Sequence, residues 1–291
     1  MNYFLTENDL KSASAILRVR GSDANTYLQG QFTQDLRVAD GAVAYGLWLD
    51  QKGRVLADSH VLKQADNDWL VVSFSATASQ LMARLQAYLI ADEVELEDQT
   101  GAWSGVLLWG VGAADLRPTS NTLVLPSRRA GLSSAQWLVP VEERAVVEAV
   151  LKKTTAIESN RLAAELVRLS TGVPAVPVDI GPRDLPNEGG LDDVAISYTK
   201  GCYLGQEVMA RLKNLGQVRR SLHLVQGTGA PPEPGTGLYQ GERKVGDMRS
   251  AAGDGENFFA MAKLSLVNLD SGAGLSRASG GTSTIKILRR V

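Results

Sequence analysis

With 291 residues, 44% of them hydrophobic and 21% charged, the chain has the make-up of a folded protein long enough for two or three modules, which excludes wholesale disorder. Its formal charge of −2 gives no ground for tight binding of the whole surface to nucleic acid or membrane. One cysteine, Cys202, and two histidines, His60 and His223, exclude an internal disulfide, a four-ligand Cys/His zinc site and a complete cysteine-ligated iron–sulfur cluster within one chain; no metal site is predicted.

Ser14 to Arg20 reads as a first strand, and Gly21-Ser22-Asp23 supplies a turn and cap for a helix carrying Ala24, Tyr27, Leu28 and Gln31. Ala42 to Leu49 and Arg54 to Leu62 follow as strands joined by the turn Asp50-Gln51-Lys52-Gly53, and Asp68 to Phe74 extends the sheet. Between Ala76 and Ile90, Leu81, Leu85, Tyr88 and Leu89 recur at helical spacing, which predicts an amphipathic helix on that sheet.

A second mixed region takes in Val94-Glu95-Leu96, Val106 to Trp109 and Trp137 to Val139, with a helix over Glu142 to Lys153. Another helix, Glu158 to Leu169, stops at Gly172 and Pro174, and four prolines from Pro174 to Pro186 then enforce an irregular path of the kind that lines functional sites. After Gly216 short alternating runs such as Ser221 to Val225, broken by glycines and prolines, predict a small β-barrel; Ser271 to Thr284 is a loop before a last strand, Ile285 to Leu288. Asn214 to Val291 carries 10 Lys/Arg against 6 Asp/Glu, a mildly basic tail read as solvated surface. No apolar run approaches the ~20 residues that cross a bilayer, and Met1 to Ser14 has no basic start followed by an apolar stretch, so a cytoplasmic protein without membrane contact is expected.

The chemistry concentrates in Lys200-Gly201-Cys202-Tyr203-Leu204-Gly205-Gln206-Glu207. Gly201 and Gly205 let the backbone turn tightly around Cys202. From Gly205 the spacing is helical, with Val208, Met209 and Leu212 on one face, so the helix dipole, Lys200 and Arg211 set positive charge beside the sulfur.

This octapeptide closely resembles the signature of the YgfZ family, a branch of the folate-binding fold shared with the glycine-cleavage aminomethyltransferases. Tyr27 to Leu36 is similar to the family's early segment ending in Thr-x-Asp, Tyr45 to Asp58 to the hairpin that follows, and Leu169 to Pro174 with Leu185-Pro186-Asn187-Glu188 to the stretch leading into the signature. The resemblance implies an α+β protein of two intertwined sheet-plus-helix subdomains over 1–213 and a C-terminal β-barrel over 214–291, around a central opening for tetrahydrofolate or a derivative.

It further implies a folate-dependent role in assembling or repairing iron–sulfur enzymes, including those that modify tRNA. Those enzymes would be the clients, and tRNA only an indirect partner. Cys202 would be the reactive group, with Lys200 and Gln206 positioning it or its ligand. A flat pterin stacks on aromatic rings, its amide-like edge needs a carboxylate, and its glutamate tail suits a cation; Trp48, Tyr203, Glu188 and Arg211, or Arg54, fit those needs. The alternative is one-carbon transfer of the aminomethyltransferase kind. There the family hairpin carries paired acids, whereas this chain has Ala57-Asp58.

Overall fold

The computed structural model describes residues 2–5, 15–110, 112 and 117–291. Its first layer is an antiparallel sheet of Ala15–Arg20 (β2), Val43–Leu49 (β3), Val55–Ala65 (β4), Asp68–Ser73 (β5) and Glu95–Asp98 (β6), in the order β3-β4-β5-β2-β6. Ser14, the expected first residue of β2, lies outside the described residues. At the β3–β4 turn, Asp50 Oδ1 accepts from the Lys52 and Arg54 amides at 2.8 Å each, and Gly53 takes the left-handed φ of 73° that closes it.

Alternation along β4 gives the sheet two unlike faces. Ala57 and Val61 join Leu17, Trp48, Trp69 and Val71 in a core under Ala24–Gln31 (α1) and Ala78–Gln86 (α2). Asp58, His60 and Leu62 point the other way, Leu62 against Leu125 and Leu138 of the second sheet. A capping box between Thr77 and Gln80 starts α2, which ends at Gln86, short of Tyr88 and Ile90.

The second sheet runs β10-β1-β7-β9-β8, from Asn2–Leu5 (β1), Trp103–Trp109 (β7), Leu123–Ser127 (β8), Ser134–Pro140 (β9) and Ile157–Glu158 (β10). Arg144–Lys153 (α3) covers it with Val147 and Leu151. Two expectations are corrected here. Glu95 and Leu96 belong to the first sheet, where β6 pairs with β2 and Glu95 takes Arg20 in a two-pronged ion pair at 2.9 and 3.0 Å. Glu158 precedes its helix: Asn160 caps the Ala163 amide at 2.9 Å, Arg161–Thr171 (α4) follows, and Gly172 ends it at φ 74°.

Beyond α4 the chain winds irregularly through Asp192–Ala195 (α5) to Gln206–Leu215 (α6). The last sheet, in the order β12-β13-β14-β11-β15, comprises Arg220–Thr228 (β11), Gly237–Gln240 (β12), Arg243–Gly253 (β13), Asn257–Ser265 (β14) and Ile285–Arg290 (β15). It is not a closed barrel. Its two edges are linked only by isolated bridges, Tyr239 to Ser276 and Leu275 to Ile285, because the Gly/Ser-rich segment between them forms no strand of its own.

Candidate functional site

Two concavities flank the first sheet, one on each face. On the face turned toward the second sheet lies a cavity of about 460 Å³, lined by Tyr45, Asp58, His60, Phe74, Arg128 and one face of α4, Arg161, Ala164, Glu165 and Arg168, and closed by the Pro174–Val178 segment. Strand pairing sets Tyr45 opposite His60, with ring centroids 5.1 Å apart, and the Phe74 ring stands edge-on to His60 at 6.3 Å. Arg128 stacks over Tyr45 and Arg129 over Phe74, at 5.5 and 4.9 Å from the ring centroids.

Burial perturbs Tyr45, Asp58 and His60. Burial raises the Asp58 carboxyl above the usual aspartate range, against the opposing pull of hydrogen bonds from Ser75 and Tyr45 and of the Arg128 charge. Tyr45 donates to Asp58 at 2.9 Å. Burial, then the nearby Arg128 cation, lowers His60 to about 4, so its imidazole is neutral at pH 7. Arg128 lines the cavity, and its Nε is buried with no hydrogen-bond partner among the described residues. Flat aromatic walls, a carboxyl and the guanidinium groups of Arg128, Arg129 and Arg161 suit a planar, amide-edged ligand bearing a carboxylate.

On the opposite face a groove of about 540 Å³ runs along α1, lined by Asn25, Gln29, Gly30, Lys63, Trp69, Gly201 and Cys202 among others. Cys202 is exposed at its edge. Lys200 holds the segment in place: its buried ammonium donates to the carbonyls of Gln29 and Phe32 at 2.7 Å and of Gln34 at 3.0 Å. Burial lowers Lys200 to about 8, with Asp35 favouring the charged form and Arg37 opposing it. The Leu204 amide donates to the Gly30 carbonyl at 3.2 Å, and the Ser197 amide to the Thr33 carbonyl at 3.0 Å. The octapeptide and the Tyr27–Leu36 segment are thus one unit in space.

A GCVT N-terminal domain profile matches residues 9–122. The tRNA-modifying protein YgfZ of Vibrio vulnificus (strain CMCP6) is 28% identical over 246 residues, covering 82% of this chain and 75% of that protein. Its counterpart from Escherichia fergusonii is 27% identical over 252 residues, covering 80% and 75%. The chain resembles the YgfZ proteins over most of its length. A mitochondrial iron–sulfur cluster assembly factor IBA57 homolog of Mycosarcoma maydis is 27% identical over 71% of this chain and 54% of its own length. In fold, the crystal structure of glycine cleavage system aminomethyltransferase T from Bartonella henselae superposes with a TM-score of 0.80 at 18% identity, covering 98% of this chain and 84% of that one.

The residues singled out in the sequence fall at four places. Lys200, Cys202 and Gln206, the first residue of α6, stand together beside the groove. Trp48 and Tyr203 are packed in cores: Trp48 is fully buried, stacks on Phe32 at 4.9 Å and donates through Nε1 to Ser59 at 2.8 Å, while Tyr203 is 6% exposed. Glu188 joins a buried ion cluster, accepting from Lys263 of β14 at 2.5 Å, while the same ammonium donates to Asp184 at 2.7 Å. Arg211 is exposed on α6. None of these residues is among those lining the central cavity.

The cavity's own side chains, Tyr45, Asp58, His60, Phe74 and Arg128, are not marked in the sequence apart from the Tyr45–Asp58 hairpin. Their signal is the period of two, which puts Asp58 and His60 on one face of β4 and Tyr45 across from them. Two polar residues and a histidine facing inward on a pair of buried strands mark a site rather than a core.

Proposed function

We propose that this protein binds tetrahydrofolate or a derivative in the central cavity and supports iron–sulfur cluster assembly or repair, including for iron–sulfur enzymes that modify tRNA, with Cys202 as its working group. The observation that carries the reading is the pairing of two sites back to back on one sheet: an aromatic, carboxyl-bearing cavity on one face and an accessible cysteine on the other. Tyr45, Phe74 and His60 would stack on a pterin, the Asp58 carboxyl would meet its amide-like edge, and Arg128, Arg129 or Arg161 its glutamate tail. A bound reduced folate would supply a nucleophilic amine or a carried one-carbon unit. The names of the YgfZ and IBA57 relatives support the tRNA and iron–sulfur part of the reading.

A thiolate that holds a sulfur or a cluster iron in passing needs access more than burial, and Cys202 has it. Lys200 and Gln206 position its loop, while Trp48, Tyr203 and Glu188 serve in the frame between the two sites. We keep 1–213 as the folate-binding region and 214–291 as the covering C-terminal part, joined by the Lys263–Glu188 contact.

The second reading, one-carbon transfer of the aminomethyltransferase kind, is favoured by one observation, the cavity carboxyl of Asp58. Ala57 weighs against it. In place of a second acid, its methyl faces the apolar core beneath α1 and α2.

The deciding experiment measures the methylthio modification of tRNA in cells lacking the protein and re-supplied with wild type or Cys202→Ala. Restoration by wild type alone supports the reading. Restoration by both makes Cys202 a structural residue, and restoration by neither defeats the iron–sulfur role.

A further inference from the structure

Two glycines in the Cys202 groove have no structural reason to be glycine. Gly30 and Gly201 both lack a positive φ, and a Cβ added at either would meet no protein atom within 4 Å. Gly205 is the contrast, with φ 86° and Asp50 O only 2.8 Å from its would-be Cβ. Gly30 lies in α1, where glycine is a poorer helix former than alanine. What these two positions provide is open floor on either side of the thiol.

One border of the groove is basic, while along its lining Arg37 and Lys63 are matched by Asp35 and Asp40, and Asp66 accepts from Asn25. Lys52 and Arg54 sit in the β3–β4 turn, which packs against the start of α6: the Gly53 Cβ position is 3.1 Å from Val208 and 2.8 Å from Met209. The Val55 amide bonds the Asp184 carbonyl at 3.1 Å, so the residues that follow Arg54 and Arg183 in the chain are in contact, and Arg211 follows Val208 by one turn. These four cations are exposed and have no acidic partner among the described residues. Two acids stand among them, Asp50, which caps the turn, and the exposed Glu207. Gly205, which contacts that turn, is three positions after Cys202, at most about 11 Å along the chain.

We propose that the groove and its basic border are the docking site for an acidic segment of a partner protein, which lays a side chain over Gly30 and Gly201 to reach the Cys202 sulfur. The inference rests on reading Cys202 as the working group. Charge complementarity selects an acidic partner. RNA is less suited, since recognition of unpaired bases uses exposed aromatic faces and the groove's Trp69 is 1% exposed.

The test uses the whole protein and two synthetic peptides, one rich in Asp and Glu and one rich in Lys, each carrying a cysteine as its disulfide with nitrothiobenzoate. The Cys202 thiolate attacks the peptide sulfur, a peptide–Cys202 disulfide forms, and nitrothiobenzoate leaves with the bonding electron pair and is read by absorbance. The acidic peptide should react roughly tenfold faster at low salt, and the ratio should fall toward one near 0.5 M salt as screening shortens to a few ångströms. Combined Lys52→Glu, Arg54→Glu and Arg211→Glu should invert the preference. Gly30→Ala with Gly201→Ala should slow the acidic peptide while leaving the melting temperature unchanged or higher. Equal rates for the two peptides, or indifference to the glycine changes, would overturn the proposal. So would protection of Cys202 by tRNA in the absence of a peptide preference, which assigns the surface to RNA. If iodoacetamide also fails to alkylate Cys202, the reading of the cysteine falls with it.

Discussion

The Lys200 ammonium and the Phe32 carbonyl meet at 2.7 Å across 168 positions of sequence, and the same ammonium also takes the carbonyls of Gln29 and Gln34. Its three protons are matched one to one by carbonyls of the last turn of α1 and of the residues just beyond it. The lysine of the octapeptide is therefore a clamp that ties the Cys202 loop to the end of α1. Lys200→Met should lower the free energy of unfolding by about 2–4 kcal/mol, since several buried acceptors lose a charged donor at once. A denaturant midpoint equal to that of wild type would show that the carbonyls find other donors.

His60 gives the fold an acid sensitivity. Its folded value is about 4 against an ordinary 6.5, so between those values the unfolded chain binds a proton that the folded chain refuses. Stability from this group is intact above pH 6.5 and is lost as the pH falls toward 4, by on the order of 3 kcal/mol in full. Asp58, raised by burial, acts in the opposite sense: its contribution is present at low pH and lost as the pH rises through its folded value. Melting curves from pH 7 to 4 should therefore be flatter for His60→Gln than for wild type. Parallel curves would mean that the imidazole is accessible to protons in the folded state.

Much of this architecture was legible in the sequence because local rules governed it. Asp50 and Gly53 specified the β3–β4 turn, the spacing of Leu81 and Leu85 the buried face of α2, and Gly172 the end of α4. Pairings decided far along the chain were not legible. Nothing local to Leu96 says that it lies beside Val19, or that Asn2–Leu5 enters the second sheet between β10 and β7. The same limit governed the sites. The octapeptide announced itself as a contiguous string, whereas the cavity is assembled from β3, β4, β8 and α4. Tyr45, Asp58, His60 and Arg128 come together only when tertiary packing decides which face of each strand is buried. Trp48 and Glu188 had the right chemistry for a ligand but spend it inside the protein, on Ser59 and on Lys263.

Glu188 and Asp184 share the Lys263 ammonium, with Arg249 also 3.3 Å from Asp184. Burial works to raise the Asp184 carboxyl, but the hydrogen bond and charge of Lys263 outweigh it and the net effect is a lowering. Lys263→Met would take the shared ammonium from two buried carboxylates at the joint between the Pro-rich segment and β14, leaving Arg249 near Asp184 and Arg220 3.6 Å from Glu188. Removing one partner of a buried ion cluster costs about 3–5 kcal/mol. Adding Glu188→Gln to Lys263→Met should recover part of that loss. A double variant no more stable than the single would assign the damage to packing rather than to charge.

The two faces of the first sheet make separable predictions for ligand and thiol. Asp58→Asn keeps the shape of the cavity but replaces a carboxyl by an amide, which mismatches the donor edge of a pterin. Loss of one hydrogen bond to a charged or strongly polar partner is worth about 1.5–3 kcal/mol, or roughly 10- to 150-fold in affinity for tetrahydrofolate by calorimetry. Arg128→Ala, which removes the orphaned Nε donor and the cation over Tyr45, should weaken binding by a similar factor. Cys202→Ala should leave that affinity unchanged, because its groove shares no lining residue with the cavity. Conversely, Asp58→Asn should leave the alkylation rate of Cys202 as in wild type when no folate is present. If Cys202→Ala instead abolished tetrahydrofolate binding while the protein stayed folded, the ligand would occupy the α1 groove, and the aromatic cavity would have to be reassigned.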